Sequence, residues 1–381
     1  MENFVIYNPV KLHFGQGVVS KLGDVATNFG KKALIVMGRG SARSNGSFDQ
    51  SYASLKAAGI EVVIYEGIRS NPIIEDVDQA AEMGRKEKAD MVIAIGGGSV
   101  VDSAKIIAIS IPAEHSGWDF VDGSKKPSKA LPLISVLTLA ATGSEMNAYA
   151  VVQHNKLKKK IGYGHQLLYP RHSFLDPEFT LGVPPDYTAY GIADLVAHSL
   201  EAWFGEGESS LTDRFIISII QEAMDYGPDL LKNPNNYQLR AKIMYAATMA
   251  LNGLTVHGKK SQDWGVHSIG HCLSVLWDIP HGASLTIAYP AWLELQKSRI
   301  PQRISELGKC IFQVSEPDKV IEMFSTFFSQ MNCPVTLSQA GIKADDGAIG
   351  ELLEVMRINK VGGIFHTLSD EDHRQLARSM R

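Results

Sequence analysis

The sequence predicts an α/β N-terminal domain built on a parallel sheet, followed by an all-helical domain. Three observations predict it. Short apolar runs, two of them closed by glycine, alternate with helical patterns through the first half. The pair Pro184-Pro185 then marks a change of character. Beyond it long helical patterns dominate, with no comparable run of strands. Domains are therefore expected at residues 1–183 and 184–381.

The strands come first. Ala33–Met37, Glu61–Tyr65, Met91–Ile95 and Leu133–Leu137 are apolar runs of strand length, as strands buried on both faces require. Helical patterns occupy Phe48–Ala58, Ile73–Glu87 and Val100–Ile109 between them. Strand, helix, strand at this spacing implies parallel pairing with helices on both faces. Ligands of such sheets bind beyond the carboxyl ends of the strands, where the glycines after Met37 and Ile95 fall. In the second half, helices are expected over Gly191–Phe204, Ser210–Leu231, Tyr237–Leu251, Gln262–Leu276, Ser284–Glu294, Gln302–Gly308 and Asp318–Met331.

Composition narrows the function. The 381 residues are 45% hydrophobic and 20% charged, which excludes a disordered chain. Lys+Arg total 37 against 41 Asp+Glu, a net charge of −4 that argues against nucleic acid as a partner. No stretch has the length of a membrane helix, and the opening residues lack a signal peptide's basic start and apolar core. Cys272, Cys310 and Cys333 are scattered and form no CxxC pair, so neither a disulfide framework nor a thiolate zinc site is expected. A cytoplasmic enzyme fits these features.

Two glycine-rich turns follow strands. Gly96-Gly97-Gly98-Ser99 opens a helix, where free N–H groups suit a phosphate and Ser99 can add a hydroxyl or cap the helix. Its spacing matches neither GxGxxG nor a P-loop, and a plain strand–helix turn is the competing reading. Gly38-Arg39-Gly40-Ser41-Ala42-Arg43 is the second turn. No Asp or Glu lies between Ala33 and Phe48 to bond a ribose 2′-hydroxyl, whereas Ser41, Arg39 and Arg43 suit a 2′-phosphate. A solvated loop is the alternative there.

The helical half carries a possible metal set. Asp194 and His198 are i and i+4 in an apolar helical pattern, so they share a face. A buried Asp needs a partner. His267 and His271 repeat the spacing, and His281 follows. One carboxylate with several imidazoles suits Zn²⁺ or Fe²⁺, although a histidine on an apolar face is more often a satisfied core residue.

Further segments carry a family resemblance: Val10–Gly15, Gly96–Asp102, Leu137–Asn147, Leu175–Pro177, and then the metal segments in order. Together they resemble the iron-containing (group III) alcohol dehydrogenases, nearest the NAD(P)H-dependent butanol dehydrogenase and aldehyde reductase branch. The resemblance implies a nucleotide-binding α/β domain followed by an all-α metal domain, of the dehydroquinate synthase-like fold. It implies Asp194, His198, His267 and His281 as metal ligands, with Fe²⁺ as the metal and Zn²⁺ the alternative. His271 corresponds to a non-ligand histidine implicated in proton relay.

Gly97, Gly98 and Ser99 correspond to the pyrophosphate turn, and Asp102 and Lys160 to residues near the nicotinamide ribose. Thr138, Thr142 and Ser144 match a strand end that contacts the nucleotide, and Asn71 matches another cofactor-side loop. Gly38, Gly40 and Ser41 occupy the loop that reads the adenosine ribose, where Arg39 departs from the family pattern. Lys160 ends a lysine run, for which a solvated hairpin is the competing reading. The expected activity is hydride transfer between NADP(H), with NAD(H) possible, and a small alcohol or aldehyde, in a homodimer. Alternatives are a zinc enzyme like glycerol dehydrogenase or dehydroquinate synthase, and, from another class, a metal-dependent hydrolase.

Overall fold

A computed structural model describes residues 1–381. The strands are β1 (Lys11–Phe14), β2 (Lys32–Gly38), β3 (Glu61–Ile68), β4 (Met91–Gly96), β5 (Leu133–Leu137), β6 (Tyr149–His154), β7 (Lys159–Gly164) and β8 (His172–Leu175). Six of them form one parallel sheet in the order β1-β8-β5-β4-β2-β3, while β6 and β7 pair as an antiparallel hairpin. Four of the eight strands were legible as apolar runs. β1 and β8 are only four residues long, and β6–β7 carries the lysine run at its turn, so none of these reads as a strand by itself.

The helices between strands are α1 (Leu22–Ala26), α2 (Ser41–Ser44), α3 (Ser47–Ala57), α4 (Ile74–Lys86), α5 (Gly98–Ser110) and α6 (Trp118–Val121). They explain why the strands are apolar throughout. Ala33, Ile35, Met37, Ile93 and Ile95 face a core with Leu22, Phe48 and Leu55. Leu34, Val36, Val92 and Ala94 face the opposite core with Val77, Val101, Ala104 and Ile107. The central strands β2, β4 and β5 bury both rows of side chains, so the period-2 alternation of a half-exposed sheet is missing there, whereas the edge strands β1 and β3 stay partly exposed.

The remaining helices are α7 (Pro185–Trp203), α8 (Ser210–Lys232), α9 (Tyr237–Ala250), α10 (Gly265–Trp277), α11 (His281–Gln296), α12 (Pro301–Phe312), α13 (Pro317–Gln330), α14 (Asp346–Ile358) and α15 (Asp370–Ser379). Pro185 starts α7 where its missing N–H costs nothing. Every residue of α7 from Gly191 to Trp203 is buried, so this helix lies inside the helical unit and not on its surface. None of the helices is long and apolar enough to cross a membrane. The three cysteines are free, and burial pushes the Cys272 and Cys333 thiols up to about 12.

Two compact units group the chain: Tyr7–Val183 with Pro234–Thr248, and Met1–Ile6 with Pro184–Asn233 and Met249–Arg381. The grouping departs from a single cut at 183/184 because contacts override chain order. Most of α9 joins the α/β unit, where Met244 enters the sheet's core and Thr248 Oγ1 donates to Glu145 Oε1 at 2.5 Å. At the other end, the Glu2 N–H donates to the Gly258 carbonyl within the helical unit.

Candidate metal centre and nucleotide turn

Close helix approach builds the metal centre. A Cβ on Gly282 would lie 2.1 Å from the Tyr190 carbonyl oxygen, so only glycine lets the start of α11 touch α7 there. Gly270 plays the same part between α10 and Ser284 of α11. These contacts place His198 of α7, His267 of α10 and His281 of α11 around one carboxylate. The Nε2 atoms of His198 and His267 each lie 3.7 Å from Asp194 Oδ1, and that of His281 lies 3.6 Å away.

Such distances are too long for hydrogen bonds. They match the edges of a tetrahedron whose corners sit about 2.1 Å from a central ion, which are about 3.4 Å. Asp194 is 2% exposed, and neither of its oxygens has a hydrogen-bond partner, so a buried carboxylate is left without the donors it needs. A divalent cation removes that deficit, and Asp194, His267 and His281 form a cluster able to hold one. The residues therefore fit a metal.

The electrostatics of Asp194 and His198 agree with the geometry, whereas His267 without an ion in the site favours its protonated form. Burial alone would raise the Asp194 carboxyl, but the imidazoles of His198, His281 and His267 hold it well below the usual carboxylate range. Burial pushes His198 down to about 4, which keeps its imidazole neutral and able to ligate. Burial opposes protonation of His267 as well, yet the carboxylates of Asp194 and Glu201 raise it to about 9.

Glu201 was absent from the sequence reading. Its Oε1 accepts from His267 Nδ1 at 2.8 Å and from the His267 backbone N–H at 3.0 Å. The bond fixes the imidazole with Nε2 toward Asp194, the arrangement in which an outer carboxylate orients a metal-bound histidine. One signal was available: positions 194, 198 and 201 share one helix face.

The turn before α10 is strained. Trp264 has φ +66°, in the left-handed region where a bulky residue is an outlier, at a cost of about 1–3 kcal/mol. The carboxylate of Asp263 holds it by accepting the N–H groups of Gly265, Phe365 and His366. The indole then packs edge-on against His267 at 5.1 Å and His198 at 6.0 Å between ring centroids. His271 lies one turn after His267 on α10, partly exposed, its ring 5.6 Å from that of His281.

In the α/β unit, the sheet order places a switch point between β2 and β4. From β2 the chain runs outward to β3, then returns to β4 on the other side. The turns at Gly38–Arg43 and Gly96–Ser99 both leave this point. A Cβ on Gly98 would lie 2.4 Å from Thr142 Cγ2, and one on Gly97 would lie 3.1 Å from Leu139 Cβ, so both positions need glycine for space. No side chain caps α5; the Val100 and Val101 N–H groups donate to the Gly97 carbonyl, which leaves those of Gly98 and Ser99 for an outside acceptor. This cradle fits a phosphate.

Ser99 does not cap the helix, contrary to one expectation. The cap position is Gly97, and the Ser99 hydroxyl donates instead to the Ser70 carbonyl. That bond ties the turn to Asn71, whose Oδ1 accepts from Lys160 Nζ at 2.8 Å. Lys160 is 6% exposed, so the solvated-hairpin reading of this lysine fails. Asp102 Oδ1 accepts from Ser144 Oγ at 2.5 Å and its Oδ2 from the Val151 N–H at 2.9 Å. Thr138 is joined to the same region through its N–H, which donates to the Gly96 carbonyl.

Beneath Asp102 lie two more charges the sequence reading missed. Lys105 is fully buried and donates to Asn147 Oδ1 and the Tyr149 carbonyl. Burial lowers it to about 8, against the pull of Asp102 and Glu145. The second turn is also altered from expectation. Arg43, counted among the donors for a 2′-phosphate, is held by Glu66 of β3. The turn that carries Gly38, Gly40 and Ser41 contains no acid of its own.

Comparison with known proteins gives the following. Residues 9–177 match the iron-containing alcohol dehydrogenase family model, and residues 188–354 match that of the Fe-containing alcohol dehydrogenase family, C-terminal. The chain is 35% identical to the probable NADH-dependent butanol dehydrogenase 1 of Bacillus subtilis, covering 98% of each chain. It is 33% identical to the NADPH-dependent aldehyde reductase YqhD of Escherichia coli, over 93% of this chain and 92% of that one. The crystal structure of NADH-dependent butanol dehydrogenase A from Thermotoga maritima superposes with a TM-score of 0.96 at 36% identity, covering 100% of this chain and 99% of that chain.

Proposed function

The chain belongs to the iron-containing alcohol dehydrogenase family, and from that premise we propose that it reduces small aldehydes such as butanal, and oxidises the matching primary alcohols, with a nicotinamide dinucleotide. One observation carries the reading: the buried Asp194 carboxylate, with no hydrogen-bond donor of its own, ringed by three imidazoles at tetrahedral-edge distances. Asp194, His198, His267 and His281 are assigned as ligands of one divalent ion, Fe²⁺ with Zn²⁺ as the alternative. When bound, the metal supplies Lewis acidity at the substrate oxygen and the nicotinamide supplies or takes the hydride.

The chain's own residues do the rest. Glu201 keeps His267 aimed, and Trp264 walls two of the imidazoles. His271, partly exposed beside His281, is assigned to move the proton to or from the substrate oxygen. Gly97, Gly98, Ser99 and the start of α5 are assigned to the pyrophosphate, Asp102 and Lys160 to the nicotinamide ribose, and Thr138, Thr142, Ser144 and Asn71 to further contacts with the nucleotide. Gly38, Gly40 and Ser41 are assigned to the adenosine ribose.

NADP(H) is the preferred dinucleotide in this proposal, and NAD(H) is also accepted. Ser41 and Arg39 support it, since a guanidinium binds a 2′-phosphate through charge-assisted bonds. One such bond gives about a tenfold preference. Steady-state kcat/KM for butanal with each dinucleotide tests both points. No turnover with either ends the oxidoreductase reading, and an equal or greater value with NADH ends the preference. Ser41→Asp is expected to reverse the order.

A cytoplasmic homodimer completes the proposal. The exposed apolar residues Val5, Ile6 and Tyr7 support it, as does the unpaired outer edge of β1. A monomer in sedimentation at micromolar protein would refute the dimer.

A further inference from the structure

A carboxylate reaches the turn after β2 from the neighbouring strand. In the β2–β3 register, Met37 stands opposite Glu66, and the next pair is Gly38 with Ile68. The shift marks a bulge in β3 just as it arrives at the turn. Gly38 sits where a Cβ would be 3.5 Å from the Ile68 carbonyl oxygen and 3.8 Å from Val100 Cγ2 in the first turn of α5. The end of β3, the Gly38–Arg43 turn and the start of α5 therefore meet at the switch point of the sheet.

At this place Glu66 grips Arg43. Arg43 Nε donates to Glu66 Oε1 at 3.2 Å and to Oε2 at 3.0 Å, and Nη2 donates to Oε2 at 2.9 Å. The guanidinium also lies 4.3 Å from the centroid of the Phe48 ring, which is 6% exposed. A bidentate bond on one side and a ring face on the other fix its plane. Hydrogen bonds from Arg43 hold the Glu66 carboxyl below its ordinary value, so it is an anion at neutral pH.

We infer that Glu66 sets the ratio in which this chain binds the two nicotinamide dinucleotides. It withdraws Arg43 from a 2′-phosphate, and it places near that phosphate a negative charge which a ribose 2′-hydroxyl tolerates. With Arg43 engaged, Arg39 and Ser41 are left to favour NADP(H), and NAD(H), which lacks the phosphate, loses little. The first turn of a dinucleotide site reads this choice through an acid on the same or the next strand. Here the acid comes from β3, which is why the turn itself contains none. The inference rests on the nucleotide-binding reading above.

The test is equilibrium binding to the full-length protein, without turnover. NADPH and NADH are titrated by their fluorescence, and 2′,5′-ADP and 5′-ADP by calorimetry. Glu66→Gln is expected to tighten NADPH and 2′,5′-ADP about tenfold while NADH and 5′-ADP stay within about twofold. Arg43→Met alone is expected to weaken NADPH several-fold relative to NADH, because it leaves the Glu66 charge unpaired, and in the double variant most of the gain is lost. An unchanged NADPH-to-NADH ratio in Glu66→Gln overturns the inference, as does an Arg43→Met variant that binds NADPH more tightly than the unaltered chain. Failure of the unaltered chain to bind any dinucleotide overturns instead the reading on which the inference rests.

Discussion

Asp194→Asn is expected to abolish binding of the proposed metal and to lower kcat/KM for butanal about a thousandfold or more. The substitution keeps the size of the side chain and removes its charge. Three imidazoles at 3.6–3.7 Å from Asp194 Oδ1 then face an amide, which is a poor ligand for a divalent transition ion. Lewis-acid stabilisation of developing oxyanion charge amounts to several kcal/mol, and each 1.4 kcal/mol or so is a factor of ten in rate. Elemental analysis of anaerobically purified variant and parent, with a thermal melt to show that both fold, measures the effect. Retention of a full equivalent of metal with activity within tenfold of the parent would remove Asp194 from the centre. Glu201→Gln is the graded counterpart, because it touches the ion only through His267. It weakens metal binding roughly tenfold or more and leaves the ligand set intact; chelator competition reads the difference.

His271→Ala lowers kcat about a hundredfold with metal content unchanged. The magnitude is that of a positioned general acid or base. The imidazoles that close on Asp194 belong to His198, His267 and His281, and in the proposed centre they complete with the carboxylate a set of four that leaves His271 outside it. His271 shares the α10 face of His267; the residue is partly exposed, with its Nε2 buried. Its loss is expected in kcat and in the shape of the pH–rate profile, while dinucleotide affinity holds. Loss of the metal along with the activity would place His271 in the coordination shell.

Much of the candidate site's geometry was readable before any fold was known, for reasons that are local. An i, i+4 spacing survives into the structure because it is a property of a single helix, so Asp194 with His198 and His267 with His271 lie on shared faces. Apolar runs closed by glycine marked β2 and β4, since a strand covered on both faces has no polar row to confuse it. His281, by contrast, follows Pro280 with no periodic partner and was placed by resemblance. Its position against α7 depends on Gly282, whose missing side chain matters only once Tyr190 lies beside it.

What the tertiary structure alone decided are pairings across the chain. Lys160, in a run of lysines that reads as solvent-facing, is buried and bonded to Asn71, 89 residues earlier. Glu201 lay unnoticed among apolar neighbours until α10 brought His267 to it. The turn at Gly38–Arg43 contains no acid, yet β3 delivers Glu66 to Arg43. Periodicity and composition report what a segment does with its own neighbours. Which charge meets which depends on crossover, register and bulge, and a bulge of one residue in β3 redirects the end of that strand.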